Sequence, residues 1–271
     1  MTFSAKEMIK QRKSVRTFDG KTLSDEDKKN LESYVHSLTN PFGVKVDFRL
    51  LDAKEHQLSS PVIVGEHTYL AAKVKKEGNF EIAFGYSFES ACLYAQSLGI
   101  GTVMLAASLS RSTFEKAMNV LGDEVLPTAS PVGYPAEKRS IRENLMRKGL
   151  KADERIAFAE LFFEGSFDKA LTKEAAGEYT DALEMARLSP SAGNKQPWRA
   201  VIDENRVHFY ELKSLKDNAL GDVQKVDVGI ALCHFDLVMA ESGVSGKFIF
   251  EDPQIKAPEN IYYIATYERI G

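Results

Sequence analysis

Hydrophobic and polar positions follow a helical period in some stretches of this chain and a two-residue period in others, and the switch points predict its elements. Ala5, Met8 and Ile9 fall on one side of a short amphipathic helix over 1–11. Ser24 followed by Asp25-Glu26-Asp27 has the form of an N-cap with an acidic first turn, predicting a helix to about Ser37. Asn40-Pro41-Phe42-Gly43 reads as a turn before an alternating strand over 44–51, and 60–65 reads as a second strand. A mostly apolar helix over 84–98, buried on several sides, is stopped by Gly99. A buried strand over 101–107, a helix over 112–121 and a short strand over 129–133 follow. The segment 149–163 begins as a charged linker and turns apolar, and Gly165 to Phe167 marks a boundary. Beyond it lie a helix over 172–187 capped by Thr172, a polar loop over 189–198, and a hairpin of 200–202 with 206–212. A helix over 226–242 stopped by Gly243 and a closing strand over 261–267 complete the chain.

The two halves of this pattern can be laid over each other. Gly85 and Gly99 bracket the apolar helix of the first half, and Gly229 and Gly243 bracket its counterpart with the same spacing. Asn40-Pro41-Phe42 aligns with Gln196-Pro197-Trp198, each ahead of a strand. This grammar predicts an internal duplication, divided into 1–164 and 165–271.

Composition narrows the classes of function. The 271 residues are 44% apolar and 27% charged, as in a globular protein with a full core. A net charge of −4 gives no electrostatic case for a nucleic-acid partner. Cys92 and Cys233 stand singly in apolar helical stretches, which reads as two buried thiols in a reducing compartment. The N-terminus has no signal-peptide pattern, and no apolar run is long enough to span a bilayer, so a cytoplasmic location without a membrane partner is expected. His36, His56, His67, His208 and His234 have no metal-ligand spacing, and His234 reads as a buried or capped histidine. HExxH, GxSxG and Walker patterns are absent from the sequence.

Two segments carry candidate chemistry. Arg12, Ser14 and Arg16, in Arg12-Lys13-Ser14-Val15-Arg16-Thr17-Phe18, alternate so that an extended backbone points all three one way. Two guanidiniums and a hydroxyl on one face suit a phosphate; a solvated basic stretch is the plainer alternative. The second segment, Pro190-Ser191-Ala192-Gly193-Asn194-Lys195-Gln196-Pro197-Trp198-Arg199, joins prolines, a small hydroxyl and amides to the one tryptophan of the chain. Such a loop is rigid and presents hydrogen-bonding groups.

Both segments resemble the signatures of the FMN-dependent nitroreductase family, as do Gly133-Tyr134-Pro135-Ala136-Glu137 and Arg155-Ile156-Ala157-Phe158-Ala159-Glu160-Leu161. The resemblance spans nearly the whole chain and is similar to a fused-duplicate branch of that family. It implies an α+β, nitroreductase-like fold of two tandem α/β halves, each with a central, mostly antiparallel sheet flanked by helices. It also implies FMN as cofactor. Arg12 and Ser14 would serve the phosphate end, with Lys13 between them among the cofactor-binding residues and Arg155 as a further phosphate ligand. Arg16 would lie near the flavin pyrimidine edge. The backbone of Leu105, Ala106 and Ala107 would reach flavin N5, although many relatives carry glycines where this chain has Ala106 and Ala107. Pro190, Ser191, Ala192 and Asn194 would approach the ribityl and dimethylbenzene parts, while Gln196 and Trp198 fix the loop and pack beneath it. Arg139, Arg142 and Arg147 read as a solvated helical face.

Each signature occurs once. The first-half counterpart of the loop, Leu38 to Gly43, lacks the serine and its polar neighbours, and Glu164 to Lys169 contains no arginine. The expectation is a single-chain pseudo-dimer, monomeric, completing one FMN site from both halves. The implied reaction takes hydride from NAD(P)H through the flavin to a small acceptor such as a nitroaromatic or quinone, with no protein acid or base required. A non-catalytic flavin-binding protein, or a flavin enzyme of other chemistry on the same fold, is the alternative.

Overall fold

The computed structural model describes residues 3–270. The chain folds into two compact units, Gln11–Ala152 and a second made of Met1–Lys10 with Asp153–Gly271. Helix α1 (Ala5–Gln11) buries Ala5 and Ile9.

The unit Gln11–Ala152 opens with α2 (Asp25–Ser37), where the Ser24 hydroxyl accepts the Asp27 N–H at 3.1 Å, as the cap pattern predicts. Strands β1 (Val46–Asp52) and β2 (Thr68–Lys75) lead to α3 (Phe80–Ser97). Then come β3 (Gly101–Thr102), α4 (Arg111–Ala117), β4 (Glu124–Val125), β5 (Ala129–Gly133) and α5 (Ile141–Gly149). The antiparallel sheet has the order β1-β2-β5-β3, with β4 paired to β2.

The other unit continues with α6 (Phe158–Leu161), β6 (Phe162–Glu164), α7 (Thr180–Arg187), β7 (Trp198–Asp203) and β8 (Arg206–Leu212). It ends with α8 (Val223–Glu241), β9 (Gly246–Ile249) and β10 (Ile261–Arg269). Its sheet order is β6-β7-β8-β10-β9, with β6 parallel to β7 and the other pairs antiparallel. Apart from β6 and β4, the two sheets share one plan, in which strands pair in the order first, second, fourth, third. A buried helix, α3 or α8, follows the second strand in each. Both helices are apolar nearly all round, as expected of core helices. Both end at a glycine in the left-handed region, Gly99 (φ 75°) and Gly243 (φ 79°).

The structure departs from the sequence reading at several points. The seam falls at 152/153, ahead of the expected 164/165, because Phe162 to Glu164 pair with Ala200 to Ile202 of β7. The first residues also join the later part of the chain, where the Lys6 N–H donates to Glu241 Oε2 at 2.9 Å. The segment 60–65 is a turn with one bridge, Val64 to Thr17, and the strand of that region is β2. Seven of the eight β2 residues are buried, which erases the alternation that marks a half-exposed strand. The expected strand 101–107 pairs regularly at 101–102 and again at a bridge between Leu105 and Ala129. The helix expected over 172–187 begins at Thr180, after a turn in which Thr172 Oγ1 accepts the Ala175 N–H and Gly177 turns left-handed (φ 54°).

Candidate functional site

The segment after α1 is strung into its unit by backbone hydrogen bonds. Val15 N–H donates to Thr102 O (2.9 Å), Val64 N–H to Arg16 O (3.0 Å), Phe18 N–H to Val64 O (2.8 Å) and Ala136 N–H to Thr17 O (3.0 Å). Two glycines permit this close threading. A Cβ on Gly101 would stand 2.8 Å from Val15 Cγ2, and one on Gly133 would stand 2.9 Å from Phe18 Cδ1.

The basic residues of this segment diverge in role. Arg12 Nε lies 3.0 Å from Glu89 Oε1 of α3, with side chains 7% and 0% exposed, so its charge is matched within the core. Arg16 is different: its Nε is buried without a hydrogen-bond partner among the described residues. Burial lowers its pKa, opposed by the nearby Glu143 carboxylate. Lys13, Ser14 and Thr17 line a cavity of about 570 Å³ with Lys138, Arg139 and Glu143. Glu143 organises its wall, accepting from the Thr17 hydroxyl (2.8 Å) and the Arg16 N–H (3.3 Å) while Arg139 approaches at 3.5 Å. Helix α5 thus turns Glu143 and Arg147 inward, one turn apart on one face. Arg147 is 9% exposed and does not belong to a solvated face, whereas Arg139 and Arg142 are exposed.

At the end of β3 the Leu105 N–H is taken by Ala129 O (2.8 Å), and Ala106 O accepts from Arg111 Nη2 (2.7 Å). A backbone donor for a ligand here falls to residue 106 or 107, in a bend where Ala107 is exposed.

The loop 189–198 is built in the other unit. Gly193 (φ 59°), Asn194 (φ 57°) and Gln196 (φ 50°) all adopt left-handed backbone, which costs on the order of 1 kcal/mol for each non-glycine. Side-chain bonds hold this shape. Ser191 Oγ accepts the Gln196 N–H at 2.8 Å, closing the loop on itself. The Ala192 N–H meets both carboxylate oxygens of Asp227 at 3.1 and 3.0 Å. Asn194 Nδ2 donates to Glu154 O at 3.1 Å, and Gln196 Oε1 accepts the Ile156 N–H at 2.9 Å. Arg155 also joins this loop, donating to Asn194 Oδ1 (3.4 Å) and Leu188 O (3.3 Å). Beneath it Gln196 is 4% and Trp198 1% exposed. His234 is buried as expected, its Nδ1 2.9 Å from Ser189 Oγ and 3.0 Å from Met185 O.

The structure therefore gathers Lys13, Ser14 and Arg16 in one unit and Arg155, Pro190, Ser191, Ala192 and Asn194 in the other. Sequence reasoning missed Glu89, Glu143 and Asp227. An acid set among apolar neighbours in a helical run was the available signal for Glu89 and Asp227. Cys92 and Cys233 are both fully buried, and burial beside Glu89 pushes the Cys92 thiol up to about 12. Among the described residues, no group of His, Cys, Asp or Glu is arranged to hold a metal ion, and no helix is long and apolar enough to cross a membrane.

The family model described as "Putative TM nitroreductase" matches residues 4–239. The chain belongs to this nitroreductase family. A search of curated proteins finds no match. Among solved structures, one described as a "putative nitroreductase" from Thermotoga maritima MSB8 covers 100% of this chain and 94% of its own, at 20% identity and a TM-score of 0.65. It shares the nitroreductase fold over the full length. A structure described as an oxidoreductase containing FMN covers 62% of this chain and 93% of its own, at 13% identity and a TM-score of 0.46. An FMN-dependent nitroreductase from Clostridium difficile R20291 covers 52% and 94%, at 14% identity and a TM-score of 0.41.

Proposed function

We propose that this nitroreductase-family protein is an FMN-dependent oxidoreductase that binds one FMN per chain. The observation that carries this reading is a cavity lined by Lys13 and Ser14, on the same short segment as Arg16, whose Nε is buried with no hydrogen-bond partner among the described residues, where the family's flavin segment falls. This donor set fits the group. Ser14 and Lys13 would hold phosphate oxygens, with Lys138 adding charge to the same cavity. Arg12 contributes less than its place in the signature implies, because Glu89 already balances it. Arg16 would set a fixed positive charge on the cofactor.

When bound, FMN would supply two-electron redox chemistry, passing hydride from NAD(P)H to a small acceptor such as a nitroaromatic or quinone. The chain's own part is binding and orientation. The Ala106 or Ala107 N–H would offer a backbone donor, and the loop would present Pro190, Ser191, Ala192 and Asn194 in a preset shape. Arg155 would brace that loop through Asn194, in place of or alongside a phosphate role. Each signature occurs once in the chain, which supports one flavin and a monomeric pseudo-dimer. The shared strand order of the two sheets supports their origin by duplication.

Titration with FMN, followed by the visible flavin band, should saturate at about one equivalent per chain, and NAD(P)H should then bleach it. No FMN uptake overturns the reading. Methyl groups at 106 and 107, where many relatives carry glycine, favour a second reading as a flavin-binding protein without turnover. Flavin uptake without steady-state NAD(P)H oxidation would select it.

A further inference from the structure

Helix α8 reaches the loop 189–198 at two points. Asp227 takes the Ala192 N–H with both carboxylate oxygens, and His234 meets Ser189. The two residues stand roughly two turns apart, on one face of the helix. Asp227 is 4% exposed, and burial holds its pKa well above the usual carboxylate range, opposed by the Ala192 N–H. Asp222 and Glu211 are the acids whose charges act on it.

The corresponding helix of the other unit lacks this acid. At the same distance ahead of its bracketing glycine, α3 carries Ala83, which is fully buried. The loop that corresponds to 189–198 is tied to α3 by a different bond, Asn40 Nδ2 to Ser87 Oγ at 3.1 Å. The buried carboxylate thus accompanies the loop that kept its signature.

We propose that Asp227 is a positioning residue for the cofactor loop. It fixes the Ala192 N–H and thereby the directions of Ser191 and Asn194, and its consequence for cofactor binding rests on the FMN reading above. The half-buried Ala192 N–H loses its acceptor when Asp227 is removed, so the loop leaves this conformation. An amide oxygen at the same place would still accept from Ala192.

The test uses the full chain and two readouts, amide hydrogen exchange over 190–198 without flavin and FMN affinity by titration. In Asp227→Ala, exchange over 190–198 should rise about tenfold or more while β2 and β5 stay protected. FMN affinity should fall about tenfold. Asp227→Asn should stay within about threefold of the parent in both readouts. Ala192→Pro removes the donor from the loop side, and Ser191, extended at φ −148° and ψ 159°, is compatible with a following proline. It should reproduce the loss even where Asp227→Ala does not fold. Val238→Ala, in the same buried helix but without a loop bond, should lower the melting temperature and leave FMN affinity unchanged. Parental exchange and affinity in Asp227→Ala or Ala192→Pro overturn the proposal. So does an Asp227→Asn variant as impaired as Asp227→Ala, or an equal loss of affinity in Val238→Ala. A parent protein that takes up no FMN refutes the flavin reading alone, and exchange over 190–198 still decides whether Asp227 holds the loop.

Discussion

Helices α3 and α8 hold the same place in their respective sheets and are bracketed by glycines at the same spacing, yet each carries its own buried acid. In α3 the acid is Glu89, which grips Arg12 of the N-terminal signature. In α8 it is Asp227, which grips the backbone of the loop signature. The position of Glu89 is occupied in α8 by Cys233, and that of Asp227 in α3 by Ala83, all of them buried. In each unit the buried helix thus secures one signature segment. Glu89 is buried against an opposite charge, whereas Asp227 meets a backbone N–H and burial raises its pKa.

The sharpest way to break this comparison is Arg12→Ala. It removes the cation paired with Glu89 in the core, and a loss of about 4 kcal/mol is expected by urea denaturation. Adding Glu89→Gln should recover part of it. The loops themselves should differ next. Trp198 is 1% exposed, so Trp198→Ala should cost about 3 kcal/mol by circular dichroism melts. Its counterpart Phe42 is half-buried, and Phe42→Ala should cost about 1 kcal/mol.

A third contrast lies within the N-terminal signature. Arg16→Ala should weaken FMN binding about tenfold, or about 1.4 kcal/mol, without a fall in melting temperature. That outcome would separate a ligand-directed arginine from Arg12, which serves the core.

A smaller effect concerns Glu211 of β8. Desolvation and the neighbouring Asp222 raise its carboxyl from 4.5 to about 7, while Lys213, 2.9 Å from Asp222, keeps Asp222 low. The folded state therefore holds a proton that the unfolded chain releases, and stability falls as pH rises from about 4.5 to about 7. Glu211→Gln should melt a few degrees above the parent at pH values above this window, with the difference vanishing below it. The smallest effect falls on helix entry. Ser24→Ala should cost about 1 kcal/mol by removing the α2 cap, whereas α7 starts from Tyr179 without a side-chain cap and has none to lose.

Much of this could be read from sequence, for local reasons. The Ser24 cap, the terminating glycines 99 and 243, and the hairpin at Glu204-Asn205 depend on neighbouring residues, and the structure has them. The loop 189–198 was legible as rigid because its prolines fix the backbone and its small hydroxyl and amides bond locally to it. Strand β2 was not, because burial on both faces removes the periodic signal. Nor could spacing reveal that Arg12 faces Glu89, or that Arg155 belongs with the loop 189–198. Those pairings join residues far apart in the chain and depend on how the chain packs.

The membership of residues 1–10 in the unit formed by 153–271 bears on synthesis. The first helix leaves the ribosome before the unit it belongs to has begun to be made. At roughly 5–20 residues per second, Ala5 and Ile9 wait on the order of ten seconds or longer for a core to enter. During that interval Gln11–Ala152 can fold as a body, and α1 joins its own unit only after 153–271 have been made.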